Sequence, residues 1–466
     1  FTATVTPVPP GAGTPAGTVT FTIDGTTTLT GTLDASGTAT VSTNALPAGN
    51  HTVEATYNGA GDPSFNTSTG TDTHTVTAAS TTTTVNSSPD PSVFGQPVTF
   101  TATVAPVAPG AGTPTGTVTF VLDGGGSTTV PVEIDGTARL TLNSLLAGSH
   151  SITGSYSGDA NFTLSTGGET HTVNKAATTT TLNSAPDPST FGQPLTFTAT
   201  VTPLAPGAGT PTGTVTFSIT GSPTLTGTLD GTGVATVNAG TLPVGNHAAT
   251  ATYAGDSNFT PSTGSDTHTV DRAPTTTTVN STPDPSTYGQ TVTVTATVAA
   301  NLPEAGTPTG TVTFLFDGTT PVTAPLVNGV ATTTTSGLSA GPHTITATYG
   351  GALNFATSNG TDTQTVNRGS TTTTVVSSPD PSLPGRVVTF TATVSPMPPA
   401  TGTPTGTVTF TIGGGGGGTL TAALVNGVAT VTDRGLAVGT HAISATYNGN
   451  PQLIPSTGND THTVSP

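Results

Sequence analysis

The side chains in this 466-residue chain with the richest chemistry near neutral pH are nine histidines and 23 carboxylates, alongside six Lys and Arg and no cysteine. Five of the histidines form one series: His51, His150, His247, His343 and His441 each stand two residues after a glycine and five after a leucine. The other four follow an acidic residue by two positions, as Asp72–His74, Glu169–His171, Asp266–His268 and Asp460–His462. Asp362 and Gln364 occupy the corresponding place in a fifth copy. An imidazole can ligate a metal, carry a proton or close a hydrogen bond. A closed metal site needs further ligands, and no second His or Cys lies in the first motif. Residues two apart on a strand share a face, so the second motif could hold a cation, but the amide of Gln364 is a poor transition-metal ligand. The first series is therefore expected to be structural, closing a corner between strands through bonds to backbone. The second is expected to make local carboxylate-to-side-chain hydrogen bonds. No metal or cofactor is expected.

Other candidates reduce to turns. Asp90, Asp187, Asp284 and Asp380 each lie in a P-D-P-S sequence, where proline fixes φ and Asp suits an Asx-type turn. The glycine run Gly413–Gly418 has no G-K-[ST] after it and reads as a lengthened hairpin turn. The dispersed Ser, His and Asp form no nucleophile-elbow motif, and no carboxylate pair recurs at a catalytic spacing, so no catalytic residue is expected. HTVNKAATTTT brings no carboxylate cluster to a junction for calcium.

The elements that must position these residues repeat. TGTVTF or AGTVTF ends at Phe21, Phe120, Phe217, Phe314 and Phe410, spacings of 99, 97, 97 and 96. The TTTT tract begins at Thr81, Thr178, Thr275 and Thr371, and a tyrosine recurs at Tyr57, Tyr156, Tyr253, Tyr349 and Tyr447. These set five modules of about 97 residues, at 1–79, 80–176, 177–273, 274–369 and 370–466. Inside a module the hydrophobic period is two: in PVTFTATV, Val98, Phe100, Ala102 and Val104 share one face and Thr99, Thr101 and Thr103 the other. About seven turn-bounded strands per module predict an all-β fold, a tandem array of immunoglobulin-like sandwiches. The first module starts at FTATV and lacks the residues corresponding to Ser80 through Thr99, hence its first strand. A window cut from a longer array is expected in preference to a strand donated by another subunit.

The TTTT-V opening strand, G-T-P-T-G-T-V-T-F, and L-x-x-G-x-H followed six residues later by Tyr together resemble the bacterial immunoglobulin-like domain repeats, group 3, over essentially the whole chain. The resemblance implies an extracellular or cell-surface stalk or adhesin with no enzymatic site in the repeat. A net charge of −17, with Lys175 the only lysine, leaves no cationic surface for nucleic acid or anionic membranes. No apolar run reaches bilayer length and no leader opens the chain, so no membrane insertion is expected of this segment. Expected partners are neighbouring modules, with cell-surface or fibre subunits and glycans as candidates. The leading function is a structural stalk, spacer or fibre component. The alternatives are an adhesin or carbohydrate-binding array, disfavoured because Trp is absent and the tyrosines face inward, and accessory repeats of a secreted hydrolase. The outward threonines suit solubility or O-linked sugars equally. Junctions of a few residues predict a rod of roughly 150–200 Å from strand rise alone, with the loop APVAPGAGTPTG facing the preceding module's L-x-x-G-x-H corner.

Overall fold

Threonine alternating with Val, Phe and Ala gives β-branched stiffness on one face and apolar surface on the other, so each run pays its way only as a half-buried strand. The computed structural model describes residues 1–302 and 305–466, and among them there are strands and turns but no helix. In the second module, Thr81–Ser88, Val98–Pro106 and Thr137–Leu142 form one antiparallel sheet. Ser127–Pro131, Thr117–Leu122, Gly148–Tyr156 and Ser165–Asn174 form the other. Val98, Phe100 and Ala102 are fully buried between them, and the intervening threonines face outward.

An eighth strand, beyond the seven counted from sequence, is the two-residue Ser92–Val93, which pairs parallel with the last strand. The prolines of Pro89-Asp90-Pro91 remove backbone donors from the first segment, which leaves one sheet and joins the other. Modules three and four repeat this layout; in module five the second half is reduced to a bridge between Ser382 and Val464. Each module encloses its own apolar core. Module one is the exception expected from its sequence: Thr2–Thr4 pairs only with Thr38–Thr40, and its core holds seven buried apolar residues against 13 in module two.

The junctions are built into the following module. Ala176 donates its N–H to Asn258 O (2.8 Å) and accepts from Thr260 N (2.9 Å), and Ala79, Ala273 and Gly369 sit in the same way. Contacts across a junction differ from expectation in one respect. The L-x-x-G-x-H corner meets the loop after the tyrosine strand, Ala147 N–H donating to Asn258 Oδ1 (3.0 Å), as Ala48 does to Asn161 Oδ1 (2.8 Å). At the first joint the proline-rich loop (Pro109, Gly110 and Ala111) and the corner (Leu46, Pro47 and Ala48) line one cavity, and at the second the proline-rich loop also meets the turn after Ser92–Val93, where Ala208 N–H donates to Phe94 O (3.2 Å). The Phe94 ring lies edge-on to Phe259 at 5.2 Å, and Phe191 to Phe355 at 6.1 Å. That turn could be placed only once the proline crossover was known.

Candidate functional site

Each corner histidine is carried at the start of the tyrosine strand with its ring turned inward. His51 Nε2 meets Pro47 O at 2.7 Å and Nδ1 meets Asp24 Oδ2 at 2.6 Å. His150 bonds Leu146 O (2.9 Å) and Asp123 Oδ2 (2.8 Å), and His343 bonds Ser339 O and Asp317 Oδ2, both at 2.7 Å. The second oxygen of each carboxylate accepts the next N–H of the tyrosine strand, from Thr52, Ser151 or Thr344. In modules three and five the carboxylate is replaced by a carbonyl: His247 Nδ1 meets Thr220 O (2.7 Å) and His441 Nδ1 meets Gly413 O (2.8 Å). Gly413–Gly418 is the turn between the Thr407–Ile412 and Thr419–Ala423 strands.

The three aspartates were not singled out from sequence. They follow the Phe-bearing strand as Asp-Gly, with φ of 50°, 48° and 51° at Asp24, Asp123 and Asp317, a turn conformation Asp tolerates. That Asp-Gly was the available signal. The histidine bond, then the backbone N–H of Thr52, hold the Asp24 carboxyl below the usual carboxylate range, and the bonds to Asp24 and Pro47 raise His51. At His150 and His343 burial alone would lower the ring, but the carboxylate and carbonyl bonds outweigh it and the net direction is upward.

In modules two to five the carboxylates of the second series bond side chains, but the partner is not local: it is a serine of the first strand. Glu169 and His171 do not bond each other; both reach Ser87 of the first strand, Ser87 Oγ donating to Glu169 Oε1 (2.6 Å) and lying 3.0 Å from His171 Nδ1. His171 Nε2 meets Ser92 Oγ at 2.8 Å, and Asp90 Oδ1 stands 3.1 Å from Nδ1. Asp266, His268, Ser184, Ser189 and Asp187 repeat the set. In module five Ser377 bonds Asp460 and Ser382 bonds His462. Module four substitutes Gln364, whose Nε2 donates to Ser286 Oγ and Pro283 O, both at 3.1 Å. The P-D-P-S aspartates, expected to close their own turns, reach across to the last strand: Asp187, Asp284 and Asp380 accept from the N–H of Thr269, Thr365 and Thr463. The proline crossover brings the carboxylate there.

Serine, imidazole and carboxylate in line are the parts of an activated nucleophile. Here Ser92 and His171 are both 0% exposed, so no acyl substrate reaches the hydroxyl, and what the set does is tie the first strand to the last. Burial, then the charge of Asp159, pushes the Tyr156 phenol up to about 12, so it stays neutral near pH 7. Among the described residues no three His, Asp or Glu side chains converge as a metal-ligand set.

A five-fold immunoglobulin-like sandwich with buried polar ties is the class that this geometry defines. The chain belongs to the bacterial Ig-like domain family, group 3, which it matches at residues 1–79, 83–174, 182–271, 278–367 and 374–465. No curated protein matches it. Among solved structures it is similar to fibronectin(III)-like modules of Clostridium thermocellum CbhA, with 16% identity over 40% of this chain and 94% of that one and a TM-score of 0.18. It is similar to the Escherichia coli adhesin FdeC, with 17% identity over 61% and 96% of the two chains and a TM-score of 0.24. The eight N-terminal Ig domains of the Down syndrome cell adhesion molecule match with 14% identity over 96% of this chain and 56% of that one, at a TM-score of 0.22.

Proposed function

We propose that the chain is a non-enzymatic extracellular structural repeat, a stalk or spacer of a bacterial surface, built of modules at 1–79, 80–176, 177–273, 274–369 and 370–466. The observation that carries this reading is the junction. A linker of a few residues is pinned into the next module, and a side-chain amide oxygen of that module accepts the N–H of the preceding corner. Such a joint transmits orientation from one module to the next. The corner histidines serve it by fixing the loop from which that N–H projects, since Leu146 O, bound by His150, adjoins Ala147.

Small-angle scattering is expected to give an elongated particle of roughly 150–200 Å; a compact globule would overturn the stalk. Protease treatment of intact cells should release fragments of the chain, and their retention inside would remove the surface placement. A chelator should leave the melting temperature unchanged, and a drop of several degrees would show a structural metal. A carbohydrate platform would offer aromatic faces to sugars, whereas the large apolar side chains most exposed among the described residues include no aromatic.

A further inference from the structure

We propose that modules two to five are shear clamps: the first and last strands, through which tension along the chain enters and leaves a module, are tied together side by side in parallel. A buried imidazole that joins both halves of the first segment makes modules two and three outlast modules four and five under load. This deepens the stalk reading and rests on it for the clamp's use in the cell, though not for its measurement.

Only Lys175, Ala176 and Ala177 separate the last strand of module two, Ser165–Asn174, from the first strand of module three, Thr178–Ala185. A pull along the chain therefore reaches module three at its first strand and leaves it at Asp271, the end of its last strand, Ser262–Asp271. Between those points the ties advance along both elements together. Thr178 and Thr180 bond Ser262 Oγ, both at 2.7 Å, and Ser184 bonds Asp266 at 2.7 Å. Further on, Asp187 accepts the N–H of Thr269, Ser189 pairs with Val270, and Phe191 N–H donates to Asp271 O at 2.8 Å. The first segment thus runs parallel to the last strand, and parallel neighbours drawn from opposite ends must slide past each other, which strains every tie at once. An antiparallel hairpin drawn apart at its open end gives way one pair at a time.

The imidazole decides how many ties act as one. His268 Nδ1 lies 3.2 Å from Ser184 Oγ, before the prolines, and its Nε2 lies 2.7 Å from Ser189 Oγ, after them. His171 stands likewise between Ser87 and Ser92, at 3.0 and 2.8 Å, and both rings are fully buried. In module four Gln364 reaches Ser286, while Ser281 is left to Asp362. In module five His462 bonds Ser382 at 2.9 Å, but its Nδ1 has no hydrogen-bond partner among the described residues. Pro384 there also lacks the N–H that Phe94 and Phe191 donate to the end of the last strand. In modules four and five the stretches before and after the prolines are therefore held separately, and one can slip ahead of the other. Forced unfolding follows the rate of opening, so that first slip sets the lifetime.

The test is constant-force stretching of the full chain held by its two ends, each module being read as one lengthening step. The expected record has two long-lived steps, those of modules two and three, with lifetimes at least about tenfold above the others. His171→Gln should leave one long-lived step, and Gln364→His should create a third, since Ser281 and Ser286 already stand in place. The chain has no cysteine, so module two can also be held by Ser149→Cys and Thr172→Cys, exposed partners at the open end of its last hairpin. Drawn apart there, it should open at the same force with a lifetime at least about tenfold shorter. The proposal is overturned by equal lifetimes in modules two to five, by either substitution leaving the count of long-lived steps unchanged, or by module two resisting equally in both directions. Long-lived steps from a chain that cells keep inside would remove the stalk and leave the clamps standing, and equal lifetimes from a surface-exposed chain would do the reverse.

Discussion

At His51, His150 and His343 both ring nitrogens face oxygen acceptors, an arrangement satisfied in full when the ring carries both protons. A histidine whose folded pKa is raised contributes stability below its unfolded value, near 6.5, and loses it as pH rises through the folded one. The partner aspartates are lowered, chiefly by the histidine bond, so their contribution is present above about 4 and is lost as pH falls through the folded value. Modules one, two and four should accordingly be at their firmest between about pH 4 and 6.5 with respect to this pair. His268 of module three runs the other way. Desolvation lowers it, so its contribution is present above about 6.5 and is lost on acidification. Hydrogen exchange resolved by module at pH 5.5 and 8 should show module three losing protection at the lower pH and module two at the higher; parallel change in both would refute the assignment. His150→Ala should destabilise module two by about 1–3 kcal/mol in denaturant unfolding, because Leu146 O loses its partner.

The first strand is the element on which each complete module depends. Ser184→Ala removes the hydroxyl that serves both Asp266 and buried His268, and should cost module three about 1–3 kcal/mol. Phe197→Ala, from a fully buried ring beside His268, should cost about 3–5 kcal/mol; equilibrium unfolding measures both. The module count, the alternation of Val98 to Val104 and the missing strand of module one were legible in sequence because a period of two and a repeat of about 97 are properties of the chain itself. The proline crossover was not, since Ser92–Val93 is too short to show a period. Nor were the polar ties: the spacing of Glu169 and His171 suggests a pair, but the serine that both contact lies more than 80 residues earlier, which only the closed sandwich brings near. Module four shows how the parts depend on one another, for it carries Gln364 in the histidine's place and Val294 where the facing phenylalanine stands.

Along the whole molecule the joints are not equivalent. Ala48, Ala147 and Ala340 donate to Asn161, Asn258 and Gln452 across theirs, while at the third joint Asn354 Oδ1 is buried without a partner and Val244 stands in the place of the alanine. Lys175 and Arg368 bond carbonyls of the following module, at Asp256 and Leu453. Limited trypsin digestion should therefore cut after Arg272 before Lys175 or Arg368, and Asn258→Ala should speed the cut after Lys175; preferential cleavage at Lys175 in the unaltered chain would contradict the unequal joints. The near-identity of the first strands has a further consequence for renaturation. With four such strands and four matching grooves, a denatured chain faces a matching problem in which Thr81–Ser88 can be captured by the groove of another module before its own sandwich closes. Loop closure favours the local partner, since Ser88 is opposite Thr99 while the equivalent strand of the next module, Thr196–Pro203, lies more than about 100 residues away, but its cost grows only slowly with length. Refolding of the full chain from urea should thus contain a slow phase of error correction, and single-phase refolding would contradict it.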